Sequence, residues 1–100
     1  MNIKMIFVID KMKYDTDKME LISDKCKYTY SWTFVLTNTK MKSYGKDVKL
    51  WKSKKENWLL TYDTGYDSNG VKLLEEDVKK LLLKYDLQKY EELFGELEEA

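Results

Sequence analysis

Asp63 and Asp67 lie four residues apart, beside Tyr62 and Tyr66, in a stretch rich in Thr, Ser, Asn and Gly. Paired carboxylates serve as acid and base in glycoside hydrolysis, or as oxygen ligands for Ca²⁺ and Mg²⁺. A calcium loop needs further oxygens at fixed spacing. The run from Asp63 to Gly70 has no carboxylate two residues after either aspartate and no closing Glu. These aspartates therefore read as turn formers, whose side chains bond their own backbone two residues on. Other catalytic sets fail for want of residue types. The chain has no His, no Arg and no Pro, and all 18 of its cations are lysine. That removes the imidazole base, the Ser-His and Cys-His couples, the usual Cys/His zinc site and the guanidinium clamp. Cys26 is alone, so it closes no disulfide, and between Lys25 and Lys27 it reads as a small apolar filler. The expectation is a non-enzymatic protein with no metal and no cofactor.

Binding chemistry has more material. Lys40, Lys42, Lys46, Lys49, Lys52, Lys54 and Lys55 surround a hairpin pattern, with Tyr44 and Trp51 interleaved. Lysines neutralise phosphates and exposed aromatics stack unpaired bases. Lys49, Trp51, Lys52, Lys54 and Lys55 are thus the candidate nucleic-acid set. The same lysines also serve as ordinary protection of exposed strand edges. At the other end, Asp86, Glu91, Glu92, Glu96, Glu98 and Glu99 face a single Lys89. An acidic helix end of this kind suits a basic groove on a partner protein or on a second copy of the chain. Asp63, Tyr66, Asp67, Glu91, Glu92 and Glu96 are the candidate protein-binding set.

The formal net charge is zero, with 18 acids against 18 bases, yet the charge is partitioned. Residues 1–55 hold 13 Lys and 6 acids, while residues 56–100 hold 5 Lys and 12 acids. Composition changes at the same place, from Thr, Ser, Tyr and Trp to Leu, Glu and Lys. No Pro/Ser-rich linker intervenes, so one α+β domain is expected. Within it, residues 1–65 form an antiparallel sheet of four to five strands and residues 71–98 form two helices packed on that sheet.

Period-two patterning places the strands. Tyr28, Tyr30, Trp32, Phe34 and Leu36 alternate with Thr29, Ser31, Thr33 and Val35, predicting one half-buried strand. Ile3–Asp10 predicts a more buried one, continuing through Met12 and Tyr14. Asp15–Lys18 is a turn, and Met19–Ser23 a short strand. Val48–Lys52 and Trp58–Tyr62 flank the turn Ser53–Asn57. Gly65 and Ser68–Gly70 form a loop that ends the sheet. A helix then begins near Val71–Leu74, with Leu74, Val78, Leu81, Leu82 and Tyr85 on one stripe. Asp86 caps a second helix bearing Leu87, Tyr90, Leu93, Phe94 and Leu97, stopped at Gly95, and the last residues fray. The apolar run Met5–Ile9 is far shorter than the ~20 residues of a membrane span. With the free thiol, that makes a cytoplasmic protein, monomeric or homodimeric, the expectation.

Three stretches together carry a family resemblance. They are Lys11-Met12-Lys13-Tyr14-Asp15-Thr16-Asp17, Leu50-Trp51-Lys52-Ser53-Lys54-Lys55-Glu56-Asn57-Trp58-Leu59-Leu60 and Tyr90-Glu91-Glu92-Leu93-Phe94-Gly95-Glu96. In this order they resemble small proteins carried by phages and other mobile elements of low-GC bacteria. Those members have a Gly-Glu-Gly-Gly stretch where Tyr62-Asp63-Thr64-Gly65 stands here, and a proline before the penultimate helix that this chain lacks. The resemblance implies an inhibitor of bacterial immunity of the anti-CRISPR type. Such a protein would bind a Cas effector nuclease in the host cytoplasm and block its access to nucleic acid or its activation.

Overall fold

The computed structural model describes residues 5–100. The chain is α+β: among the described residues, eight antiparallel strands precede two helices. The strands number eight rather than four or five because three tight reversals divide segments that read as continuous or as loop.

The first reversal splits the N-terminal strand into β1 (Ile6–Ile9) and β2 (Met12–Asp15), with Ile9 opposite Met12. Asp10 and Lys11 form the two-residue turn at φ 52° and 65°. That left-handed geometry matches the strand twist but is usually supplied by Asn-Gly, so the sequence hid it. The predicted start at Ile3 lies outside the described residues. The turn at residues 15–18 is as expected, a single 3-10 turn (Thr16–Lys18) in which Asp15 Oδ1 accepts from the Asp17 amide at 3.1 Å.

The central sheet runs β3 (Glu20–Ser23), β6 (Lys46–Lys52), β7 (Trp58–Asp63) and β8 (Ser68–Leu73) in that spatial order. The β6–β7 hairpin was legible in the sequence, with Trp51 opposite Leu59 and Lys52 opposite Trp58. Strand β8 corrects two readings, since Ser68–Gly70 is strand rather than loop and Val71–Leu73 is strand rather than helix. Ser, Asn and Gly disfavour strand locally, but six consecutive pairings with β7 override that preference.

Both faces of this sheet are covered, so Trp58–Thr61 is buried without a break. On one face Ile22, Val48, Leu50, Trp58 and Leu60 pack with Cys26 and with Val78 and Leu82 of α1 (Glu75–Tyr85). Tyr90 and Phe94 of α2 (Leu87–Phe94) close the same core. Each fully buried Leu or Val contributes roughly 1.5–3 kcal/mol by leaving water. The β1–β2 hairpin lies across the other face. Phe7 rests on Gly70 so closely that a Cβ there would sit 2.8 Å from the ring.

Both helices end as their sequences dictate. Asp77 Oδ2 accepts from the Leu74 amide at 3.1 Å to close the start of α1. Asp86 stops α1 through its amide, bonded to Leu82 O at 2.9 Å, and starts α2 through Oδ1, which accepts from the Lys89 amide at 3.3 Å. Gly95, at φ 101°, stops α2. Of the predicted α2 stripe, Tyr90 and Phe94 face the core, whereas Leu87, Leu93 and Leu97 are exposed.

Candidate functional site

The predicted half-buried strand of residues 28–36 is instead β4 (Thr29–Phe34), which turns at residues 35–38 and returns as β5 (Thr39–Tyr44). Asn38 at φ 54° supplies the left-handed residue of the turn. Among the described residues, this two-stranded ribbon joins neither of the other sheets. It stands off the body as an arm. The radius of gyration of 15.1 Å, against about 13 Å for a compact chain of 100 residues, and the extents of 50 × 35 × 28 Å record that projection.

The register sorts the arm's side chains. Tyr30, Trp32 and Phe34 share one face with Ser43, Met41 and Thr39, while Thr29, Ser31 and Thr33 share the other with Tyr44, Lys42 and Lys40. The aromatic alternation is the one the sequence displayed, but only its root, Tyr28 and Tyr30, packs on the body. Trp32 is 41% exposed and Phe34 43%, and Val35 and Leu36 at the tip are 87% exposed.

Geometry fixes the root of the arm. Tyr62 of β7 lies between Tyr28 and Tyr30, with ring centroids 4.8 and 5.5 Å away, the second pair stacked. Burial and the neighbouring phenols of Tyr28 and Tyr30 push the Tyr62 hydroxyl above its ordinary pKa. Gly45 passes so near Tyr62 that a Cβ would fall 2.8 Å from the tyrosine Cβ. Its amide donates to Tyr28 O at 2.8 Å, closing the neck. Further out, Trp32 Nε1 donates to Ser43 Oγ at 3.0 Å, and the Trp32 and Phe34 rings meet edge to face at 6.3 Å.

The predicted nucleic-acid set does not converge. Trp51 is half-buried, with its Nε1 donating to Thr61 Oγ1 at 2.9 Å. Lys49, on the same face, pairs with Asp47 at 3.5 Å. Lys52 alternates to the opposite face, its ammonium 5.5 Å from the Trp58 ring centroid and 3.8 Å from Glu56. Lys54 and Lys55 are exposed in the turn. Lys46 opens β6, opposite Asp63 of β7, whereas Lys40 and Lys42, which the sequence also grouped with this hairpin, belong to β5 of the arm.

The predicted protein-binding set divides in two. Asp63 ends β7, and Tyr66 and Asp67 belong to the following β7–β8 loop, where Thr64 Oγ1 accepts from the amides of Tyr66 and Asp67 at 3.2 and 3.1 Å. Asp63 Oδ1 accepts from Ser68 Oγ at 2.7 Å. Glu91, Glu92 and Glu96 lie at the far end of β7, because Phe94 of α2 packs 6.5 Å from the Trp58 ring. Five residue steps of strand separate Trp58 from Asp63, about 17 Å. Glu91 Oε2 accepts from the Leu97 amide at 3.1 Å, and Glu92 pairs with Lys89 at 2.9 Å. That contact holds the Lys89 ammonium above its ordinary pKa.

The mixed-charge clefts offer little chemistry. The one between the 3-10 turn and the central sheet, ≈ 430 Å³, is lined by Asp17, Asp47, Lys49, Thr61, Asp63 and Ser68, among others. Among the described residues, no three His, Cys, Asp or Glu side chains are placed to hold a metal ion. Cys26 is buried, its thiol pushed up by desolvation, drawn partly back by the Ser23 hydroxyl and raised further by Asp86. No described helix is long and apolar enough to cross a membrane. No protein-family model, curated protein or solved structure matches the chain.

Proposed function

We propose that the chain is a non-enzymatic inhibitor that binds a bacterial immune effector, of the kind a Cas nuclease represents, and keeps nucleic acid from it. The observation that carries this reading is the helical end of the molecule. From Asp86 to Ala100 six acids stand against one lysine, and that lysine is already paired within the segment. Leu87, Leu93 and Leu97 are exposed among the acids. An acidic surface studded with leucines complements a basic groove that has apolar walls, which is what a nucleic-acid-binding protein offers. The Asp63–Asp67 loop lies about 17 Å away along β7, so the reading rests first on Glu91, Glu92 and Glu96.

The test is phage restriction in bacterial strains that each carry one defence system. Expression of the chain should restore plaquing in at least one strain. The triple reversal Glu91→Lys, Glu92→Lys, Glu96→Lys should abolish that effect while circular dichroism remains unchanged. Restoration by the folded triple variant, or by neither protein in any strain, overturns the reading.

A further inference from the structure

We propose that the β4–β5 arm is a binding site for single-stranded nucleic acid, with bases stacking on Trp32 and Phe34 and phosphates following the lysines of the arm. This site is separate from the acidic helical end and goes beyond the reading above.

Two independent observations carry it. The first is charge. Residues 25–46 contain Lys25, Lys27, Lys40, Lys42 and Lys46 and not one Asp or Glu. None of these five ammonium groups forms an ion pair with a carboxylate among the described residues, and the segment that carries them offers no carboxylate of its own. In a chain of zero net charge, an acid-free segment with five unpaired cations is a local positive field, and its complement is a polyanion.

The second is the aromatic face. A strand's apolar alternation normally faces a core. Here Tyr30 stacks on Tyr62 at the root, but beyond it Trp32, Phe34 and Met41 are exposed on a ribbon that pairs with no other strand among the described residues. The rings are already positioned. Ser43 holds the indole, Phe34 abuts it edge to face, and the Tyr28–Tyr62–Tyr30 stack fixes the root. Ordered rings that lose little freedom on binding make an effective stacking platform. Aromatics spaced two residues apart on an exposed sheet face are the arrangement by which sheet-based modules take successive unpaired bases. Lys40 and Lys42 project from β5 on the opposite face, and their flexible four-carbon stems can reach around the ribbon edge to a backbone lying beside the rings.

Two copies joined face to face are poorly matched, because packing the aromatic faces together would bring two acid-free, five-lysine segments into contact. The acidic helical end of a second copy is represented below by poly-glutamate. Duplex is poorer than single strand because its bases are stacked on one another and present no free π-face.

The experiment is fluorescence anisotropy at low salt with the full chain. The probes are a labelled mixed-sequence oligonucleotide of about 12 nucleotides, within the usual span of such sites, its duplex, and labelled poly-glutamate. Expected is a single-strand complex whose log affinity falls with log salt at a slope of about −2 to −3.5, as three to five neutralised phosphates require. Trp32→Ala should weaken it roughly tenfold or more, the loss of one stacked base. Lys40→Gln with Lys42→Gln, which leaves the ring packing untouched, should lower both affinity and salt slope. The proposal is overturned if no complex forms at micromolar protein. It is also overturned if duplex or poly-glutamate binds as tightly, or if the lysine variant binds like the parent. The arm variants retain the acidic helical end, so their phage-restriction phenotype separates failure of this site from failure of the inhibitor reading.

Discussion

Replacing Asp86 with alanine should be among the most destabilising single changes in the molecule. The side chain is 8% exposed and does two things at once. Oδ1 caps α2 by accepting from the Lys89 amide, and Oδ2 accepts a 2.7 Å hydrogen bond from the buried Ser23 hydroxyl of β3. Loss of an N-cap costs about 1 kcal/mol. A buried hydrogen bond to a carboxylate contributes about 1.5–3 kcal/mol, and its removal leaves the Ser23 hydroxyl without that acceptor. Together Asp86→Ala should lower unfolding free energy by about 2–4 kcal/mol, which for 100 residues means a Tm roughly 10–25 °C lower. Asp86→Asn keeps a good cap and an acceptor, so it should cost less than half as much. The decisive measurement is a urea-denaturation double-mutant cycle with Ser23→Ala. If the contact is as described, the two single changes share one loss and the coupling reaches about 1.5 kcal/mol or more. Coupling below about 0.5 kcal/mol, the level at which separate sites add, would refute the argument that this pair ties the helices to the sheet.

Three further outcomes follow from the geometry. The Cys26 thiol is raised in the fold, so its contribution is complete below the pH where an unfolded thiol ionises, about 8.5, and is lost as pH rises through the folded value. Stability measured by denaturant titration should fall above that pH, and Cys26→Ala should flatten the early part of the decline. Gly70→Ala forces a Cβ to within 2.8 Å of the Phe7 ring, and overpacking of this kind costs about 1–3 kcal/mol. Hydrogen exchange should then quicken in β1 and β2 before it does in β6 and β7. Lys11→Gly relieves a non-glycine residue at φ 65° in the β1–β2 turn and should raise Tm by a few degrees, corresponding to about 0.5–1 kcal/mol.

The helices and the β6–β7 hairpin were legible because their signals are local: a leucine stripe at helical spacing, an aspartate cap, a glycine stop, and aromatics flanking a polar turn. Strand β8 was not, since Ser68-Asn69-Gly70 becomes strand only through its pairing with β7, a partner fixed by tertiary structure. The Asp10–Lys11 turn was hidden because neither residue advertises a positive φ. The candidate arm was half legible. Tyr30, Trp32 and Phe34 announced an alternating strand, but alternation alone does not say whether the apolar face meets a core or open solvent. Lys40 and Lys42 are visible too, but the return strand Thr39–Tyr44 lacks apolar alternation strong enough to separate them from the lysines of the β6–β7 hairpin.

The neck at Tyr28 and Gly45 gives the molecule a modular construction. Strands β3 and β6 lie side by side in the central sheet, yet the chain leaves it after Ser23 and returns at Lys46. Cys26 and Tyr28 still pack on the core, and the Gly45–Tyr28 hydrogen bond closes the circuit just before the arm begins. Residues 29–44 are therefore an insertion between adjacent strands of a sheet that is complete without them. Such a cassette can lengthen, shorten or exchange its sequence while the body keeps its register, so the arm's exposed surface is free to diverge faster than the scaffold that carries it.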